Sequence, residues 1–514
     1  MLDCRVVGMY DNFPGRMMCL GRGIAVRTNA RLDGNGDGAG RAPARFGRRI
    51  LRWVVGATVA IGLLATMATV QPAPAQLLAG AAQARASLRY DRALAWYAQA
   101  EAAAPNDPQP WCDAGDVLTL QREWAAAATS YRRCLQLDPG DGTAWLRYGD
   151  ALADGGDATA AQAAWARAST AGDSRGLEHS ALSDEAAGML VAAQATWARL
   201  PAGDAAAQLH LGLLALANGD YGDATQHLHN AMAVATYRRQ LTDQGFTPFL
   251  QSPPRDGSDL ALLGYTFLAA GMPWFALAPL RSAVAAAPTD GKAHAILGWA
   301  LWLTGARAEA RQEIAAGLRL APKYSFAQFA AAQVAAVDGD FPHALALCEK
   351  ALRLDDSSAV AWLAASRIEV ALHDYVAADL AATNAAKLSG DPSYSAALLQ
   401  FYADLRFGLD DGRAQAAATL AIQRFPDNEP VRYLAGLIFG LVGRPTLSYY
   451  ALQDALQLDP TDPRPYILLA HYADSEGSFV TAAMYLRIAL ALWPHGPNAA
   501  DARALLASLN GFAV

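Results

Sequence analysis

Lysine is almost missing from this chain: Lys292, Lys323, Lys350 and Lys387 are the only four among 41 basic residues. β-Branched residues are also scarce beside Ala and Leu, which disfavours a strand-rich fold and leaves an all-α expectation. The five cysteines (Cys4, Cys19, Cys112, Cys134 and Cys348) are too few and too irregularly spaced for a disulfide framework or a zinc cluster. Most of the chain also lacks an excess of positive charge. Residues 1–75 hold ten Arg against four Asp, a net of +6, while the remainder carries 31 basic and 44 acidic residues, a net of −13. An acidic body lacks the basic footprint that nucleic acid requires. No phosphate-cradling Gly-rich loop, no G-x-S-x-G and no H-E-x-x-H occurs. The expectation is a non-enzyme with no cofactor, no metal and no catalytic residue.

The basic charge that is present precedes the one long apolar run. Arg41, Arg45, Arg48, Arg49 and Arg52 are followed by eighteen uncharged residues (53–70) and then by Gln-Pro-Ala-Pro-Ala-Gln at 71–76. A positive segment, an apolar segment and a small-residue site around Ala75 spell a secretory signal. At 1.5 Å per residue the run also reaches about 27 Å, enough to cross a bilayer core as an anchor. Both readings of 41–75 stay open, and both put the body in the periplasm because the arginines hold their side in the cytoplasm. Residues 1–40 are expected to be disordered. Their Asp33-Gly-Asn-Gly-Asp37 imitates a calcium loop, but its twelfth position is Ala44 rather than Glu.

A period of 34 residues governs the rest. Pro426, Pro460 and Pro494 keep it, as do Pro288 with Pro322, Pro105 with Pro139, Trp111 with Trp145, Gly115 with Gly149 and Gly264 with Gly298. Tyr97, Tyr131 and Trp165 share one phase, and Ala93, Ala127 and Ala161 another. In order, Trp111, Ala114, Gly115, Leu118, Ala127, Tyr131, Cys134 and Pro139 resemble the tetratricopeptide-repeat motif, a helix–turn–helix unit. The resemblance implies an all-α, right-handed solenoid of about twelve units, in which Trp111, Tyr131, Trp145 and the shared prolines and glycines serve the fold. The layout is an N-terminal half of the array over 76–238, an insertion over 239–257 and a C-terminal half over 258–496. A capping helix and tail follow over 497–514, because an array exposes an apolar face at its end.

Members of that family bind partners along the first helices of their units. Carried onto this sequence, the groove comprises Leu209, Leu213, Tyr265, Leu268, Trp299, Trp302, Phe326, Phe329, Val337, Leu363 and Tyr433. Lys and Asn are absent from the positions that grip a C-terminal carboxylate. The lining therefore suits an apolar or amphipathic protein segment, or else these side chains pack on neighbouring repeats. Exported proteins of this kind resemble scaffold subunits of envelope and secretion machines, and glycan binding within polysaccharide export is the alternative. Outside the groove, His227 and His229 point to different faces of a helix, while His210 and His227 are placed to meet across one hairpin. Cys112 and Cys134 share a hairpin but are expected to face different sides and stay unbonded.

Overall fold

The computed structural model describes residues 72–405 and 411–509. Twenty-seven helices and no strand occur among the described residues. Apart from Ala235–Asp243, Thr247–Gln251 and the last helix, Ala499–Leu509, they pair in chain order into twelve antiparallel hairpins. The first hairpin joins Pro74–Ala86 to Tyr90–Ala103, and the twelfth joins Pro463–Ser475 to Phe479–Leu492. The apolar run at 53–70 and the Asp33 loop lie outside the described residues. Among those described, no helix is long and apolar enough to cross a membrane.

Nine of the twelve hairpins close on a small residue set against a larger one sixteen residues later. A Cβ placed on Gly115, Gly149, Gly264 or Gly298 of a first helix would come within 2.7, 2.4, 2.3 and 2.6 Å of Tyr131, Trp165, Leu280 and Ile314 respectively. The partner always stands sixteen residues later, on the second helix. Gly212 with Leu228 and Gly436 with Leu452 repeat the contact at 2.5 and 2.7 Å. Ala replaces Gly at Ala81, Ala181 and Ala470, sixteen residues before the buried Tyr97, Trp197 and Leu486. In the tenth hairpin, Pro392–Asp404 with Asp411–Arg424, Leu399 of the first helix and Ala418 of the second are both fully buried.

Punctuation is equally regular. Pro139, Pro288, Pro322, Pro426, Pro460 and Pro494 each stand two residues beyond the end of a second helix, where a missing N–H and a fixed φ stop the helix at little cost. Asp141, Asp290 and Asp462 then accept a backbone N–H of the next helix at 2.9 Å, satisfying one of its free donors. Within the hairpins, the turn needs one left-handed residue. Gly156, Gly305 and Gly477 supply it with φ of +89°, +87° and +71°, whereas Leu88, Arg122 and His373 hold the same turn at +55°, +61° and +63°.

The insertion breaks the period but not the core. Its two helices begin at Ala235, and they bury Leu241, Phe246 and Phe249 in an apolar cluster that runs from Leu177 to Ala381. Phe246 meets Phe267 of the sixth hairpin at a tilt, with ring centroids 5.0 Å apart. The first helix of the fifth hairpin, Ala205–Asn218, still touches Pro273–Ala286 of the sixth directly. At the two ends of the chain, Tyr90 and Val117 share an apolar cluster with Tyr466 and Leu492.

Gly264→Ala should destabilise the chain by about 1–3 kcal/mol, the usual cost of overpacking, because its methyl would sit 2.3 Å from a Leu280 carbon. Gly222→Ala, also helical but with nothing within 4 Å, should raise stability slightly. Urea denaturation of the two variants checks both signs.

Candidate protein-binding groove

First helices of successive hairpins pack on one another, and second helices do not match those contacts. The array therefore curves with its first helices inside. Side chains on that inner face fall into zones. Toward the N-terminus the face is polar and spends its charges on itself. Asp116 accepts the Tyr131 hydroxyl at 2.7 Å, the Arg147 guanidinium at 2.9 Å and that of Arg85 at 3.3 Å. Thirty-four residues on, Asp150 accepts the Trp165 indole at 2.9 Å and holds His179 Nδ1 at 2.7 Å. Glu185 does the same with Trp197 at 2.8 Å and His210 at 3.0 Å. In each case an acid on a first helix ties the ring of its own second helix to a basic or imidazole side chain on the following hairpin. The hydrogen bond to Asp150 raises the His179 pKa, and burial, then the nearby Asp116 charge, raises that of Tyr131.

The middle zone holds the aromatic residues expected in a groove. Leu209, Leu213, Trp299, Trp302 and Phe329 are buried and belong to the continuous core. Two features put them there: the insertion fills space beside the fifth and sixth hairpins, and the inner side chains of adjacent hairpins interlock. The Arg307 guanidinium covers the Trp302 ring at 3.8 Å, and Trp299 meets Phe329 edge-on at 5.3 Å. Leu268, Phe326, Val337, Leu363 and Tyr433 are half-buried. Tyr265 is 43% exposed and its neighbour Leu262 54%. Rings run outward from Trp299 through Phe329 and Phe326 to Tyr265, with centroids 5.3 to 6.1 Å apart. They end at an open cleft of about 290 Å³ beside Tyr265, Tyr324, Leu262, Ile296, Asp290 and Lys292. The Lys292 ammonium lies 5.7 Å from the Tyr324 ring, and burial pushes the Tyr324 hydroxyl up to about 12. Toward the C-terminus the groove residue Tyr433 is capped by the Arg464 guanidinium at 4.3 Å.

Two expectations for individual residues are corrected. Cys112 and Cys134 form a disulfide, with Cα atoms 5.3 Å apart. Cys112 lies one helical turn before Asp116, on the same face, and Cys134 lies one turn after Tyr131. The Asp116–Tyr131 contact therefore carries the two sulfurs toward each other. Asp141 stands close enough to both to make a three-ligand group, but the sulfurs are committed to each other. His210 and His227 do not meet: His210 stacks on Trp197 at 4.4 Å, and His227 Nδ1 pairs with Gln208 at 2.8 Å. Trp111 and Trp145 are half-buried rather than enclosed, Trp145 donating its indole N–H to the Pro139 carbonyl at 3.0 Å.

Trp302→Ala and Phe329→Ala should each cost about 3–5 kcal/mol of stability, as truncations of buried rings do, whereas Tyr265→Ala should leave the melting temperature nearly unchanged. Glu369, on the first helix of the ninth hairpin, has a buried Oε2 with no hydrogen-bond partner. Burial, then Asp374 and Glu349, lift its pKa from 4.5 to about 7. A raised carboxyl favours the folded state while protonated, so its contribution is full below pH 4.5 and is lost as pH rises through 7. Glu369→Gln should match the wild type in melting temperature below pH 4.5 and exceed it at pH 8.

No family model matches this sequence, and no curated protein matches it. Solved structures do. Yeast Tom70 aligns over 85% of this chain and 96% of its own at 14% identity, with a TM-score of 0.33. YrrB, described as a TPR protein with an unusual peptide-binding site, covers 37% of this chain and 97% of its own at 17% identity and 0.32. A tetratricopeptide-repeat protein from Parabacteroides merdae covers 49% and 98% at 15% identity and 0.31. At such identities and scores no ligand or partner transfers. From its own 34-residue motif and its twelve stacked helical hairpins, the chain is in architecture a tetratricopeptide-repeat solenoid.

Proposed function

We propose that this chain is a non-enzymatic scaffold in the periplasm that holds an apolar or amphipathic protein segment, as an assembly or accessory subunit of a cell-envelope machine. The open cleft on the inner face carries the reading: there Leu262 and Tyr265 stand exposed at the end of a ladder of packed rings. An aromatic anchor beside an open cleft, on a rigid support, is where binding energy concentrates. Trp299, Phe329 and Phe326 of the predicted lining support this cleft from behind rather than touching the partner.

The extracytoplasmic part of the reading rests on two independent features. One is the arginine cluster before the apolar run at 53–70; retained or cleaved, that run leads the body out of the cytoplasm. The other is the Cys112–Cys134 bond, a cross-link that persists in oxidising compartments and is rare in reducing ones.

Alkaline phosphatase fused after residue 80 should be active in cells. Cys112 and Cys134 should resist alkylation until a reductant is added. An inactive fusion with freely alkylated thiols would retire the location. Capture from a solubilised envelope should recover a protein with the wild-type chain. A Leu262→Asp/Tyr265→Ala variant should lose it at least tenfold, at unchanged melting temperature. Equal recovery with both would retire the cleft.

A further inference from the structure

The turn of the second hairpin reaches the far end of the chain. Gln121, only 5% exposed, donates its Nε2 hydrogen to the Ala491 carbonyl at 2.7 Å. Arg122 places its guanidinium 4.5 Å from the Trp493 ring centroid. Glu123 pairs with His495 Nδ1 at 2.5 Å. Three consecutive residues thus meet three alternate ones some 370 positions away. Beneath them, Ala81, Tyr90, Tyr97, Ala114 and Val117 share one apolar cluster with Tyr466, Ala489 and Leu492.

The chemistry of each contact suits the junction. Ala491 lies in the last turn of Phe479–Leu492, where carbonyls have no donor within their own helix, and Gln121 supplies one. A guanidinium beside a helix C-terminus is favoured by the helix dipole as well as by the indole face. Arg122 also holds the left-handed turn conformation that Gly fills in the equivalent turns. Gly would adopt it without strain. The strained residue at this turn is the one whose side chain reaches the other end.

We propose that the first two hairpins latch onto the twelfth, closing the array into a loop, and that this latch opens without unfolding the hairpins it joins. The seam involves one turn, one helix end and the apolar cluster beneath them, whereas successive hairpins pack helix against helix along the chain. It is therefore the contact that yields first. Open, the inner face is a groove reached from the side; closed, it is reached only along the axis of the loop.

Hydrogen exchange on the full-length chain tests this, with a Gln121→Ala/Arg122→Gly/Glu123→Gln variant whose turn is relaxed by the new Gly. The proposal expects amides in 486–496 to exchange at least tenfold faster in the variant, with exchange in the fifth to ninth hairpins unchanged and a larger hydrodynamic radius. His495→Ala should in turn speed exchange in 117–123. Unchanged exchange in 486–496, with the second hairpin still helical, overturns the latch. Protection there that grows with concentration alongside a two-chain mass also overturns it, because the seam then forms between copies.

Discussion

Everything in this molecule depends on one contact repeated along the chain: a small residue on a first helix pressed against a large one sixteen residues later. It sets how closely the two helices of a hairpin approach, and so how flat each face of the hairpin is for its neighbour. Gly149 under Trp165 and Gly264 under Leu280 leave no room for even a methyl group. Close-packed interiors do not stretch to accommodate such an addition. Nine such closures give rigid bricks, and the curvature of the inner face follows from stacking the hairpins with their first helices together.

The bricks were legible in the sequence because each obeys local rules. Prolines two residues past a helix end, glycines at closed approaches and aspartates at helix starts act within a few residues of themselves, so a fixed period exposes them. The inner surface was legible only in part. A position can be assigned to the groove side from its place in the unit, but its exposure depends on the size of side chains on the next hairpin. Trp299 faces inward as its register implies and is then covered by Phe329 of the next hairpin. The acid ladder has a readable signal: Asp116 and Asp150 stand one period apart, as do the Tyr131 and Trp165 that they hold. The disulfide escapes a reading that takes helix faces as fixed sectors, because the facing side chains of an antiparallel pair span a wide arc.

Solenoids are commonly sums of nearest-neighbour terms. Here two kinds of neighbour contact go beyond plain helix stacking. The insertion lets the fifth hairpin reach the second helix of the sixth while its own aromatics fill the gap, so one core continues from Leu177 to Ala381. The acids of the inner face supply the second kind. Each holds groups from its own hairpin and a neighbouring one, so removing an acceptor such as Asp116 strands Tyr131, Arg85 and Arg147 together. Polar groups left unpaired in a low-dielectric setting are costly, which makes the N-terminal zone of the inner face a structural brace rather than a free surface.

The meeting of the two chain ends has a consequence for how such an array can change. An open solenoid tolerates gain or loss of a whole unit, because the new end resembles the old one and only the length alters. Here the turn at Gln121–Glu123 faces Ala491–His495 only if the accumulated rotation of the intervening hairpins brings them into register. Insert or delete a single 34-residue unit and the end swings past its counterpart. The number of repeats is therefore a fixed count set by geometry, whatever substitutions the individual units accept.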